Sequence, residues 1–280
     1  MTTAAAKKIR LIALDIDGTL LNDAKEIPPR NRERLHDAVR SGVRVAIASG
    51  RMIPSIEPIQ ERLGIDCALI AYNGGKVVGA RAAGRPCLQH RPLEAEIAEQ
   101  LIRFSLESGH PLNFYLDDRL YTHTYVARRD LLGIYASRTG AQYHAVDLAT
   151  LIGARPTKLI LLADPEERER LYDRFSREFS GALNVTRSDP EYLEFMAPEV
   201  DKGTAIPTLA SHFAIDVAEI MAVGDADNDL LMLESAGLGV AVANARESVK
   251  AVARRVTRST NNDGAVAEAI ERWVLGGEPW

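Results

Sequence analysis

Residues Leu11–Leu21 read LIALDIDGTLL. A short apolar run bounded by charge reads as a buried strand. This one ends in Asp15 and Asp17, followed by Gly18 and Thr19. Like charges two residues apart repel and raise each other's pKa. Something must offset that repulsion, and a metal ion is the simplest candidate.

The flanking sequence supplies the setting. PPRNRERLHDAVRSG (28–42) has proline at its entry, Leu35 and Val39 four apart, and Gly42 at its exit, the marks of a helix. VRVAIAS (43–49) reads as a second strand, a helix follows near 54–63, and CALIAY (67–72) reads as a third strand. Apolar rather than alternating strands separated by helices imply a parallel sheet covered on both faces. The rhythm returns late, with EIMAVGD (219–225) and LGVAVAN (238–244) as strands and helical segments near 203–213, 227–236, 245–254 and 264–275.

Between these halves the pattern changes. A helix near 93–107 precedes LNFYLDDRLYTH (112–123), a hairpin turning at Asp117-Asp118. A helical stretch near 126–138, a strand at 157–164, a helix at 165–179 and a hairpin at 182–196 turning at Ser188–Pro190 complete it. The expected organisation is an α/β parallel-sheet core from 1–82 and 191–280, with an α+β module, 83–190, inserted. VGARAAGRP (78–86) is the expected first linker.

Composition narrows the function classes. The chain has 280 residues, 46% hydrophobic and 26% charged, ordinary for a globular protein with a full core. A net charge of −5 argues against nucleic acid or an anionic membrane as the main partner, and any phosphate site must be positive locally. Cys67 and Cys87 form neither a metal-ligand spacing nor a disulfide framework, so both are expected as free thiols. MTTAAAKKIR is too short and polar for a signal peptide, and no apolar run approaches the ~20 residues of a membrane helix. A cytoplasmic protein is expected.

In parallel α/β sheets, ligands bind beyond the carboxyl ends of the strands. Four such ends carry Asp15-x-Asp17-Gly18-Thr19, Ser49-Gly50-Arg51, Asn73-Gly74-Gly75 and Gly224-Asp225-Ala226-Asp227-Asn228-Asp229, and Lys202 enters a helix in VDKGTAI. Each aspartate alone reads as a helix cap. Several carboxylates at matching strand ends do not, because caps make no such demand. Calcium loops fail, since an EF-hand needs glycine at position six, where Leu20 or Leu230 stands. No phosphate loop or dinucleotide turn is present.

DIDGTLL, ASGR, DKG and GDADND resemble, in order, the four motifs of the haloacid dehalogenase superfamily of phosphotransferases. Their spacing resembles the Cof-type subgroup, whose α+β cap lies between the second and third motifs, and TRSTNNDGAVAEAI (257–270) is similar to its C-terminal stretch. Ala226 departs from the glycine or serine of many relatives. The resemblance implies a Rossmann-like core with an inserted cap, and a phosphatase of small phosphorylated metabolites such as sugar phosphates or phosphorylated cofactors.

The resemblance also implies roles. Asp15 attacks the phosphoryl group, and Asp17 is general acid and base, with a pKa raised by Asp15 and partial burial. Mg2+ is held by Asp15, the Asp17 backbone carbonyl and Asp225, with Asp229, beside Asn228, as a further ligand or a support for waters or Lys202. The absence of cysteine or paired-histidine ligands argues against zinc. Ser49 and Lys202 bind the phosphoryl oxygens, with Gly18 and Gly50 allowing close backbone approach. Asn73, His123, Arg128, Arg129 and Arg187 are candidate substrate contacts; a solvated or structural role is the alternative for each. The rival functions are a phosphomannomutase-like phosphomutase and a non-catalytic phosphometabolite sensor.

Overall fold

A computed structural model describes residues 8–276 and 278. The first third runs β1 (Leu11–Asp15), α1 (Pro29–Arg40), β2 (Arg44–Ala48), α2 (Ile53–Leu63), β3 (Ala68–Ala71), β4 (Lys76–Val78) and β5 (Cys87–His90). The middle runs α3 (Ala95–Ser108), β6 (Leu112–Leu116), β7 (Arg119–His123), α4 (Arg129–Thr139), β8 (His144–Val146), β9 (Lys158–Leu162), α5 (Pro165–Glu178), β10 (Asn184–Arg187) and β11 (Tyr192–Met196). The last part runs α6 (Ala205–Phe213), β12 (Ile220–Gly224), α7 (Leu230–Ser235), β13 (Leu238–Ala241), α8 (Glu247–Val252), β14 (Arg255–Val256) and α9 (Ala265–Ile270).

The chain divides into two compact units, one from 1–89 with 201–280 and one from 90–200. The first holds an eight-stranded sheet in the order β14-β13-β12-β1-β2-β3-β4-β5. Its pairs from β14 to β3 are parallel, and β4 runs antiparallel to β3. β1 is buried along its whole length, which its apolar sequence requires. It pairs with β2 from Leu11↔Arg44 to Asp15↔Ala48, and with β12 from Leu11↔Ile220 to Leu14↔Val223. Helix α9 lies against α1, where the Asn31 side chain accepts from the Ala267 amide at 2.9 Å.

The second unit holds a six-stranded sheet in the order β10-β11-β9-β6-β7-β8. All its pairs are antiparallel except β7 with β8. One face carries Phe114, Leu159, Leu161 and Phe195, packed with Leu101 and Ile102 of α3 and Leu171 and Phe175 of α5. This unit has its own core.

Both boundaries lie further along than the expected 82/83 and 190/191. β5 is the outermost strand of the first sheet, so VGARAAGRP joins two neighbouring strands rather than two domains; Gly79 N–H donates to Pro86 C=O at 2.8 Å. β11 pairs with β9 and β10 and so belongs to the second sheet. Among the described residues, no helix is long and apolar enough to cross a membrane, and Cys67 and Cys87 are free.

Candidate active site

Parallel pairing puts the carboxyl ends of β12, β1, β2 and β3 along one edge of the first sheet. Asp15 closes β1, Ser49 follows β2, Tyr72–Gly74 follow β3 and Asp225 follows β12. Lys202 reaches that edge from the segment before α6.

Lys202 is completely buried, and its ammonium donates to Asp15 Oδ1 and Asp229 Oδ1, each at 2.6 Å. The other Asp229 oxygen, Oδ2, accepts the backbone N–H groups of Asp225 (3.0 Å) and Ala226 (3.1 Å). Asp225 Oδ1 accepts from Thr19 Oγ1 at 2.7 Å, so Thr19 braces the loop. Gly18 has φ +81, and a Cβ there would stand 2.5 Å from Asp225 Oδ2; only glycine lets that carboxylate lie against the loop.

Asp15, Asp225 and Asp229 each offer an oxygen, all within 4.8 Å of one another. Three carboxylates thus face one ammonium. Burial pushes the Asp15 carboxyl well above its usual range; Asp229 and Asp225 push the same way and Lys202 opposes them. Burial also raises Asp225, with Asp229 adding to it and the Thr19 hydrogen bond opposing it. Burial alone would pull the Lys202 ammonium down, but Asp15 and Asp229 outweigh it and hold its pKa up. Such a residual repulsion among hard oxygen donors suits a divalent cation of the Mg2+ type.

Asp17 departs from expectation. The departure lies in the state of its carboxylate, since only its backbone carbonyl was expected among the metal ligands. The carboxylate accepts from Arg51 Nη2 at 2.7 Å and Nε at 3.1 Å on Oδ2, and from Lys25 Nζ at 2.9 Å on Oδ1. Partial burial would raise its pKa, but the Arg51 charge and the hydrogen bonds from Lys25 and Arg51 outweigh that and hold it below the usual range. The raised value expected from the sequence is therefore corrected. The two cations face it, and repulsion from Asp15 does not set its state.

Ser49 is buried, and its amide donates to Ile70 C=O at 2.8 Å. Its Oγ accepts the Arg51 N–H at 3.2 Å, which leaves the hydroxyl proton to donate. Beside it, the Asn73 side chain comes within 3.1 Å of where a Gly50 Cβ would stand, and Asn73 Oδ1 accepts from Asn228 Nδ2 at 3.2 Å.

The remaining candidates belong to the 90–200 unit, where His123, Arg128 and Arg187 have partners of their own. His123 Nδ1 accepts the Leu148 N–H at 3.2 Å. Arg128 pairs with Asp130 and Asp164, both at 2.8 Å. Arg129 opens α4. Arg187 pairs with Glu169 at 2.7 Å and covers the Tyr172 ring at 4.0 Å. The sequence reading missed Lys25 and the partner role of Arg51. The ASGR motif carried a signal for Arg51. Lys25 lies in a loop, in left-handed backbone at φ +61, and carried none.

The model of a family described as haloacid dehalogenase-like hydrolase matches residues 12–270. An HMP-PP phosphatase of Serratia proteamaculans is 29% identical over 95% of this chain and 95% of its own. A 5-amino-6-(5-phospho-D-ribitylamino)uracil phosphatase of Bacillus subtilis is 28% identical over 95% of this chain and 96% of its own. The crystal structure of a haloacid dehalogenase-like hydrolase from Bacteroides thetaiotaomicron superposes with a TM-score of 0.85 at 30% identity, over 95% of this chain and 99% of that one. A match running from β1 to α9 takes in all but the first residue of the eight-stranded sheet: this chain belongs to the haloacid dehalogenase-like hydrolase family.

Proposed function

We propose that this chain is a Mg2+-dependent phosphatase of small phosphorylated metabolites, sugar phosphates or phosphorylated cofactors, with Asp15 as nucleophile and Asp17 as general acid and base. The observation that carries this reading is Asp15 itself, a carboxylate at a strand end held against Lys202 and beside Asp225 and Asp229. Binding alone needs no such nucleophile. Asp15, Asp225 and Asp229 would hold the cation, which when bound neutralises the nucleophile and the phosphate that otherwise repel.

An Asp15 oxygen attacks phosphorus, and the bond from phosphorus to the ester oxygen breaks. Asp17 gives its proton to that departing oxygen. Asp17 then takes a proton from water as the water oxygen attacks phosphorus, and the bond to Asp15 breaks to release phosphate. Ser49 donates to a phosphoryl oxygen, and Lys202 sets positive charge beside it. Before it can act as an acid, Asp17 must part from Arg51 and Lys25. An arriving phosphate, itself an anion, gives both cations another partner and frees the carboxyl to bind a proton. The choice of substrate is assigned to the 90–200 unit.

The test is phosphate release from a panel of phosphorylated metabolites, with and without Mg2+. The expected result is Mg2+-dependent release from monophosphates without any bisphosphate, and loss of turnover to background in Asp15→Asn with the fold kept. Turnover that required a bisphosphate would favour the mutase, and unchanged turnover in Asp15→Asn would reject the nucleophile.

A further inference from the structure

Tyr72 and Asn73 both have φ +52, and Gly74 follows at φ +97. Left-handed backbone is unfavourable for a non-glycine residue and persists where surroundings impose it. Here the surroundings are the catalytic loops. Tyr72 N–H donates to Arg51 C=O at 3.0 Å, and Asn73 N–H donates to Ser49 C=O at 2.9 Å. The turn therefore grips the Ser49-Gly50-Arg51 segment at both ends. The Asn73 side chain lies over Gly50 and accepts from Asn228, which belongs to the loop carrying Asp225 and Asp229. Gly74 touches the third loop: a Cβ there would stand 2.1 Å from Asp201 C=O, next to Lys202.

We infer that the Tyr72–Gly74 turn is a strut that sets the spacing of the Ser49, Lys202 and Asp225–Asp229 loops, with Asn73 and Asn228 acting as one positioning pair. Asn73 acts through Ser49 and Asn228 rather than as a selector of substrate. The left-handed backbone makes this possible, since it aims the Asn73 amide N–H at one loop and its side chain at another. The consequence for turnover rests on the phosphatase reading above; the mechanical coupling of the loops does not.

The experiment is a double-mutant cycle on Asn73→Gly and Asn228→Ala. Glycine accepts φ +52 without strain, so Asn73→Gly keeps the turn and removes only the amide side chain. Each single variant is expected to lower kcat roughly tenfold with KM changed less than about threefold, and the double variant to lose no more than the worse single. Asn73→Asp, which keeps an acceptor for Asn228, is expected to recover part of the loss. Losses that multiply to about a hundredfold in the double variant, or kcat at the wild-type level in either single, would overturn the pair. Hydrogen–deuterium exchange reads the strut whether or not the wild-type chain hydrolyses phosphate esters. Exchange should rise in both 49–51 and 225–229 on Asn73→Gly and on Asn228→Ala alike. A rise confined to the substituted loop would refute the coupling, whereas a wild-type chain without Mg2+-dependent hydrolysis would refute the phosphatase reading instead.

Discussion

Asp225 and Asp15 share a repulsion that the fold holds in place. Both carboxyls lie above their usual pKa, by burial first and then by neighbouring carboxylates. A raised folded-state pKa contributes stability that is complete below the unfolded value of 3.8 and is lost as pH rises through the folded value. Ionising the two carboxyls in the metal-free protein therefore costs stability as pH rises past those raised values. Asp225→Asn removes one of the charges and keeps an oxygen to accept from Thr19. The expected outcome is a metal-free Tm raised on the order of 2–4 °C at pH 7, a gain that shrinks as pH falls toward 4. Mg2+ should raise the Tm of the wild type and not that of the variant, and phosphate release should be lost. Scanning calorimetry with and without EDTA checks this; a lower metal-free Tm with the Mg2+ response intact would contradict it. Asp15, Lys202 and Asp225 were legible from the sequence because each stands in a motif next to a strand or helix end. The state of Asp17 was not, because its partners Arg51 and Lys25 meet it through loop conformation, which residue spacing does not encode.

The β1 loop shows how an element and its glycines share the work. Gly18 and Gly42 both have positive φ, +81 and +91, but only at Gly18 does a Cβ meet the site; at Gly42 nothing lies within 4 Å. Alanine at either position should cost a similar backbone strain, about 1–2 kcal/mol. Gly18→Ala should in addition displace Asp225 and lower kcat by at least about tenfold, while Gly42→Ala keeps wild-type turnover. Equal activity losses in the two variants, measured with equal losses of Tm, would assign the effect to strain alone. The alternation of apolar strands and helices from β1 to β3, and from α6 to β13, was legible from periodicity and caps. The helix over α2 runs through Pro58, which removes one backbone donor without ending the element, and Gly64 in left-handed backbone closes it. The three- or four-residue strands β4, β5 and β8 escaped notice, since so short a run offers no periodicity, and β4 and β5 flank a glycine-rich loop that reads as linker.

At the scale of the whole molecule, the two units differ in how the chain builds them. The 1–89 and 201–280 segments are interdependent: β1, the centre of the first sheet, takes one neighbour from each, β2 and β12. The 90–200 unit is continuous, with its own six-stranded sheet and a core running from Leu93 to Phe195. An inserted module was legible because hairpins interrupt the parallel rhythm; its edges were not, because β5 is too short to register in the sequence and only pairing assigns β5 to the first sheet and β11 to the second. The organisation predicts unequal autonomy. Residues 90–200 expressed alone should fold, giving a cooperative thermal transition by far-UV circular dichroism, because every strand retains its partners and the Phe114–Phe175–Phe195 core is local. Residues 1–89 alone should remain unfolded, since β1 would expose the buried edge that β12 covers. Mixing 1–89 with 201–280 should restore structure if that edge is what is missing. A cooperative transition in 1–89 alone, or none in 90–200, would show that the apolar cores do not follow the boundaries at 89/90 and 200/201.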